Sequence, residues 1–473
     1  MVRAGRRVAK APLGLARPIT PKPMRHRPHA AQPFANAAKS SSTARTVASG
    51  TPILTATTPS RRRADWTGPL WKRSGSAAWM RQRVVGEETS QMAEGERDQG
   101  AERPYRVLSL DGGGMRGIYT AAFLARLTDQ FARIRGDSAL DLGRGFDLIT
   151  GTSTGAIVGC ALAVGRPMTE VVALYREHGP KIFPHRIAGK RSAIYRASQG
   201  SRFVREGDKA LREALRGVLD DVTMIDVFEG RGISLAIPTV LMSEHRAWVF
   251  KKTPKSGVRD DRYPLVDVCM ATSAAPIYRS LAAIDDPNTP GGPKQVFADG
   301  GLWANNPIMV GLVDALTVAP SDRPIEIYSL GTCPRPEGDH LDAESAHRSM
   351  LDWSLGADVA PLSISAQEFA FDHMARLLTN AISNCGRSIR RVRFPNKPVP
   401  ASMMPYLALD DTRPEAMDRL VGQAHTDADL TKSACDDSNN ADGRMIRQLM
   451  YDLPAMPATG AVWRPASTSN QRG

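Results

Sequence analysis

Apolar side chains keep no sustained period over residues 1–100; from Tyr105 onward they fall into short runs and helical stripes. Tyr105-Arg106-Val107-Leu108-Ser109-Leu110 has the length and composition of a strand and runs into a glycine-rich turn, Asp111 to Gly117. A helix is predicted over about Ile118–Ile134, with Ile118, Ala121, Ala122, Leu127, Phe131 and Ile134 recurring on one face. Phe146 to Gly151 reads as a buried strand. The run Ala156–Val164 is apolar all round, as a buried helix is, and is too short to span a membrane. Further helices are predicted over Met168–His178, stopped by Gly179-Pro180, and over Asp208–Leu219, with Leu211, Ala214, Leu215 and Val218 inward. Residues 181–205 between them are basic and irregular. Ile233–Leu241 and Trp248–Phe250 read as paired strands, Val266–Ala275 as a short helix, and Gln295–Ala298 as a strand ending in Asp299-Gly300-Gly301. Pro307–Val318 is helical, Ile325–Leu330 a strand, and Ile364–Asn380 a helix with an apolar and a polar face. After about residue 410 the signal weakens to one short helix over Arg444–Tyr451. Strands alternating with helices imply a parallel sheet with right-handed crossovers.

Charge changes the picture in one respect. The chain of 473 residues has a formal net charge of +13, yet residues 1–100 carry 18 Lys/Arg against 6 Asp/Glu, and the rest is nearly neutral. The basic character belongs to the tail, so nucleic acid is not expected as a partner of the folded body. The tail is rich in Ala, Arg, Pro, Ser and Thr and has no acidic residue before Asp65, a composition expected to be disordered. Three readings stand for it: an organelle transit peptide, a start assigned too early with Met92 as the alternative, or a membrane-adhering segment. It has no apolar core of a secretory signal. The five cysteines (Cys160, Cys269, Cys333, Cys385 and Cys435) are scattered and odd in number, which suits reduced, mostly buried thiols in a reducing compartment.

The chemistry centres on Gly151-Thr152-Ser153-Thr154-Gly155 between a buried strand and a buried helix. In that context Gly-x-Ser-x-Gly is a nucleophile elbow, with Gly151 and Gly155 leaving room for a turn too tight for side chains. A serine hydroxyl needs a base and an oxyanion site. Three consecutive glycines at 112–114 leave backbone N–H groups uncovered at a strand end, which favours a negative charge. Gly112-x-Gly114-x-x-Gly117 also fits a dinucleotide fingerprint. Against that reading, a serine stands where the second strand should end in an acidic residue, and Arg116 is out of place in a pyrophosphate turn. For the base, His340, His347, His373 and His425 occupy no tight strand-end turn, whereas Asp299 lies just past an apolar strand and before two glycines. A carboxylate there could take the Ser153 proton directly. Arg186, Lys190, Arg191, Arg196, Arg202 and Arg205 could face anionic head groups or simply solvent, and the helix at Ile364–Asn380 could cap a lipid pocket or pack in the core.

Asp-Gly-Gly-Gly-x-Arg-Gly at 111–117, Gly-Thr-Ser-Thr-Gly at 151–155, Ala-Thr-Ser-Ala-Ala-Pro at 271–276, Asp-Gly-Gly at 299–301 and Asn305-Asn306-Pro307 together resemble the patatin-like phospholipases over roughly residues 105–335. The resemblance implies a three-layer α/β/α sandwich around a mostly parallel sheet. It implies Ser153 as nucleophile, Asp299 as general base, and Gly112, Gly113, Gly114 and Met115 as oxyanion-hole donors. Arg116, Gly117, Gly151, Gly155, Gly300 and Gly301 would be supporting residues. It implies no cofactor and no metal for the chemical step, a cytoplasmic enzyme in peripheral contact with a phospholipid membrane, and fatty-acid release from glycerophospholipids. A neutral-lipid lipase or acyltransferase could use the same site. The opening of the glycine motif is also similar to the branch of the family that cyclic nucleotides activate in bacterial antiphage defence, so a cyclic nucleotide activator and an oligomer enter as expected partners. The expected organisation is a tail or mis-assigned start over 1–100, a catalytic domain over 101–400, and a partly helical extension over 401–473.

Overall fold

Among the described residues, eight strands form one sheet in the order β5-β6-β3-β2-β1-β7-β8, with β4 paired separately to β3. They are β1 (Tyr105–Leu110), β2 (Leu148–Gly151), β3 (Ser234–Leu241), β4 (Arg246–Lys252), β5 (Ala282–Ile284), β6 (Gln295–Asp299), β7 (Ile325–Leu330) and β8 (Ile389–Phe394). β3, β2, β1, β7 and β8 run parallel, while β4, β6 and β5 make antiparallel pairings at one side. In this computed structural model the described residues are 103–184, 202–333, 342–350, 352–353, 359–395, 398–456 and 463–465. The basic tail, Arg186, Lys190, Arg191, Arg196 and His340 lie outside them.

The helices are α1 (Gly117–Arg135), α2 (Thr154–Ala163), α3 (Met168–Ile182), α4 (Arg202–Leu219), α5 (Met224–Arg231), α6 (Leu265–Thr272), α7 (Gly301–Ala304), α8 (Ile308–Val318), α9 (Val359–Asn384), α10 (Pro414–Asp436) and α11 (Ala441–Asp452). Strand side chains alternate between two apolar clusters. Leu108 and Leu110 of β1 point into the one that holds α1, α2, α6, α10 and α11; Tyr105 and Val107 point into the one that holds Ile308, Leu312 and Ala375 of α8 and α9. Helices therefore cover both faces, the three-layer arrangement expected of a mostly parallel sheet.

Several local expectations are corrected. Gly179-Pro180 does not stop α3, which continues to Ile182. Proline in a last turn forfeits one hydrogen bond, which the helix tolerates there, and Gly179 packs against the flexible end of Met115. α4 begins at Arg202, six residues before the predicted Asp208. Ile134 at the end of α1 is exposed. α5 is an element that the apolar pattern does not reveal, although Thr223 and Asp226 form a capping box at its start. The weak signal after residue 410 conceals α10, whose Met417, Leu420, Ala424 and Ala428 are buried in the same core as α1. All described residues fall in one compact unit, Glu94–Gly473.

Candidate active site

Three turns meet at one end of the parallel strands. β1 ends in the glycine loop, β2 ends in Ser153, and β6, antiparallel to β3, brings Asp299 opposite Thr239 just beyond the end of β2. Ser153 has φ 53° and ψ −119°, a conformation that an L-residue adopts only under constraint. The constraint is visible on both sides. A Cβ on Gly151 would lie 2.6 Å from the Gly155 carbonyl carbon, and one on Gly155 would lie 2.3 Å from Leu110 O. The Ser153 N–H donates to Thr272 Oγ1 at 3.0 Å, and that hydroxyl donates to Pro238 O at 2.6 Å, so the Ala-Thr-Ser-Ala-Ala-Pro segment props the elbow. In the sequence that segment stands out by resemblance alone; the hydroxyl of Thr272 is the part that braces the elbow.

Ser153 Oγ donates to Asp299 Oδ2 at 2.8 Å, and Asp299 Oδ1 accepts from Gly301 N at 2.6 Å. Burial pushes the Asp299 carboxyl up to about 6, opposed by the Gly301 N–H, the Ser153 hydroxyl and the charge of Arg279. The serine and its base are nearly closed from solvent, with exposures of 9% and 6%. Of the histidines weighed as bases, His347, His373 and His425 are exposed on the surface.

The glycine loop needs a correction. Gly112 N donates to Asn305 O at 2.9 Å and Met115 N to Leu409 O at 2.8 Å, so neither amide is open to an oxyanion. Gly113 N and Gly114 N carry no such bond among the described residues, nor does Thr154 N at the first position of α2, where a helix leaves its N–H groups unpaired. Gly112 O accepts from Thr332 Oγ1 at 3.0 Å and Asn305 Nδ2 at 3.2 Å, which fixes the peptide plane of the loop. Asn305 Nδ2 also bonds the Glu368 carboxylate, and Asn305 N donates to Gln367 Oε1, so α9 braces the loop as well as packing on the sheet. Arg116 is buried with Nε 3.4 Å from Gly113 O, a long contact that helps hold the loop. Asp111, below the loop, pairs with Arg393 of β8 at 2.5 Å.

A cavity of about 110 Å³ opens between Gly113, Gly114, Ser153 and Asp299. Ile157, Leu174, Ile182, Phe183, Leu211 and Ile364 line it, and among the described residues its charged lining is Asp299 and Arg279. Such a lining suits a hydrocarbon chain beside a reacting carbonyl. Arg279, 7% exposed, is a site residue that sequence reasoning misses, because nothing around Ile277-Tyr278-Arg279 signals burial. The site thus joins a strained serine, a hydrogen-bonded carboxylate, residues of the same lining whose amides have no backbone partner among the described residues, and a largely apolar chamber, a combination suited to acyl transfer.

Comparison with known proteins agrees with that chemistry. The family described as patatin-like phospholipase matches residues 108–312. A cGAMP-activated phospholipase of Pseudomonas aeruginosa is 36% identical over 280 residues, covering 58% of this chain and 74% of that one. A cGAMP-activated phospholipase of Vibrio cholerae is 32% identical (48% and 64% covered), and a cUMP-AMP-activated phospholipase of Escherichia coli is 30% identical (49% and 66% covered). This chain therefore spans less than two thirds of the latter two. The identity across three quarters of the Pseudomonas protein, with the glycine loop, the elbow and the Asp-Gly-Gly turn inside the matched family region, shows that the chain belongs to the patatin-like phospholipase family.

Proposed function

We propose that the protein is a lipid acyl hydrolase that releases fatty acid from membrane glycerophospholipids through an acyl-enzyme on Ser153. The observation that carries this reading is the 2.8 Å hydrogen bond from Ser153 Oγ to Asp299 Oδ2 at the mouth of an apolar cavity. Ser153 Oγ attacks the ester carbonyl and its proton passes to Asp299 Oδ2. The carbonyl oxygen becomes an oxyanion, held by the amides of Gly113, Gly114 and Thr154; one good donor of this kind contributes about 3–4 kcal/mol. Collapse of the tetrahedral adduct breaks the bond to the lysolipid oxygen, which takes the proton from Asp299. Water then gives a proton to the same carboxylate, attacks the acyl-enzyme and frees the fatty acid, and Ser153 regains its proton. The acyl chain fits the chamber lined by Ile157, Leu174 and Leu211, with the head group outside.

No helix among the described residues is long and apolar enough to cross a membrane. In our reading the enzyme meets lipid peripherally. The relatives named as cGAMP- or cUMP-AMP-activated support a second element: a cyclic nucleotide switches this site on. The test is fatty-acid release from mixed phospholipid vesicles in EDTA, with and without cyclic dinucleotides, for the wild type, Ser153→Ala and Asp299→Asn. Both variants are expected to be inactive. Wild-type rates in both would overturn the dyad, and a rate indifferent to every cyclic dinucleotide would remove the second element.

A further inference from the structure

Arg279 is the one cation among the described residues that line the chamber, and every edge of its guanidinium is already occupied. Nε and Nη2 donate to Asp208 Oδ1 at 3.1 and 2.6 Å, and Nη1 donates to Ser273 Oγ at 2.8 Å and Ser273 O at 3.1 Å. A guanidinium with its donors committed is poorly placed to hold a phosphate or a carboxylate of substrate. What it retains is a fixed positive charge, on the cavity wall that also carries Asp299. It is anchored from two elements, α4 through Asp208 and the segment after α6 through Ser273.

We propose that Arg279 is a positioning residue whose buried charge keeps the Asp299 carboxylate ionised as the base for Ser153. The proposal rests on the dyad reading above. The site gives the charge a task. Asp299 is desolvated, and a protonated Asp299 accepts no proton from Ser153; a cation nearby favours the carboxylate. Other charges near the site are engaged elsewhere. Arg116 of the glycine loop is held to Gly113 O, Asp111 pairs with Arg393, Glu368 of α9 bonds Asn305, and Arg212 of α4 pairs with Asp267 of α6. Asp299 N donates to Ala274 O at 3.0 Å, and the residue before Ala274 is the Ser273 that holds Arg279 Nη1, so among these Arg279 is the cation placed beside Asp299. Asp208 opposes it by screening the guanidinium.

That opposition supplies the test. Arg279→Gln and Asp208→Asn break the same ion pair, so a structural role moves both variants the same way. An electrostatic role moves them oppositely. The acid limb of kcat/KM for p-nitrophenyl butyrate is expected to rise by on the order of one pH unit in Arg279→Gln. It should fall or stay in Asp208→Asn, and lie near wild type in Arg279→Lys, which keeps the charge. The same ordering is expected in the carboxyl titration of Asp299, read by 13C NMR of aspartate-labelled protein and assigned with Asp299→Asn. This second reading needs neither turnover nor an activator, and it works in any of the variants that folds. A limb and a carboxyl titration unmoved in Arg279→Gln, or moved in the same direction by both variants, would overturn the proposal. Ester hydrolysis that survives Ser153→Ala would instead count against the dyad, leaving the carboxyl titration to decide the role of Arg279.

Discussion

The tripeptide Asp-Gly-Gly ends two strands of this sheet, at 111–113 and at 299–301, and the two turns do different work. Both aspartates are buried, at 1% and 6% exposure, and burial pushes both carboxyls up. Asp111 follows β1 and meets a cation directly: Arg393 Nη2 lies 2.5 Å away, with Nη1 on Ser329 Oγ. Burial works against the charged Arg393, but the Asp111 carboxylate more than offsets it, so the guanidinium stays charged. Asp299 follows β6 and meets a hydroxyl, a backbone N–H and a more distant arginine. A carboxylate locked to a guanidinium is an anchor, whereas one bonded to a serine hydroxyl can exchange a proton with it. The same local sequence becomes a loop anchor or a base according to what the strand two places away in the sheet brings to it.

Exchanging the carboxyl for an amide separates the two turns most strongly. Asp299→Asn is expected to lower fatty-acid release by about 10⁴-fold or more, as loss of a catalytic unit does, while the fold survives. Asp111→Asn takes from Arg393 its bonded counter-charge, leaving the charges of Asp372 and Glu368, and should cost up to about 3–5 kcal/mol of stability in a urea titration, with a smaller loss of rate. Equal losses of rate in the two variants would erase the distinction. The loop between the turns comes next in size. Gly114 has φ +56°, and a Cβ there would lie 2.3 Å from Leu409 O, so Gly114→Ala must displace its own amide. We expect kcat to fall by about 10²–10³-fold, the range for losing one oxyanion donor, with KM little changed. A rise confined to KM would place the oxyanion elsewhere. A smaller effect is read from pH: because Asp299 must be ionised to act, kcat/KM should fall as pH drops below about 6. Asp111→Glu should leave that limb in place.

The contrast between the turns also marks what was legible in the sequence. The glycine loop, the elbow and the Asp299 turn could be read because their geometry is local: only glycine fits at Gly151 and Gly155, and the strand, turn and helix are contiguous. Partners drawn from distant elements were not legible. β8, Ile389-Arg390-Arg391-Val392-Arg393-Phe394, hides its apolar period behind three arginines, and these are the side chains that reach Glu326, Asp372 and Asp111. α10 buries Ala416, Ala424, Ala428 and Thr431 among larger residues, a face too weakly apolar to stand out from its charged flanks. The donor assignment at Gly112 and Met115 failed for the same reason, since their acceptors, Asn305 O and Leu409 O, lie about 190 and 290 residues away in the chain. Elements followed from periodicity; the pairing of their ends did not, except for that of Ser153 with Asp299, which the motifs and the family resemblance pointed to.

The smallest predicted effect is read at the Asp299 turn without any substrate. Asp299 has a folded pKa of about 6 against an ordinary aspartate value of 3.8, so between those pH values the folded protein holds a proton that the unfolded chain has lost. Stability from this group is therefore greatest at low pH and declines as pH rises through about 4 to 6, the reverse of a carboxylate that gains a cationic partner. Above pH 6 the buried charge costs at most about 3 kcal/mol, since each pH unit between the two values corresponds to about 1.4 kcal/mol. Asp299→Asn removes it, and the amide can still accept from Gly301 N–H and donate to Ser153 Oγ. Arg279 keeps Asp208, so no cation is stranded. The inactive variant should then be more stable than wild type by about 1–3 kcal/mol at pH 8, and by about 1 kcal/mol less than that at pH 5. Urea unfolding at the two pH values measures both numbers. A variant no more stable than wild type at pH 8 would mean that Asp299 is held ionised without cost.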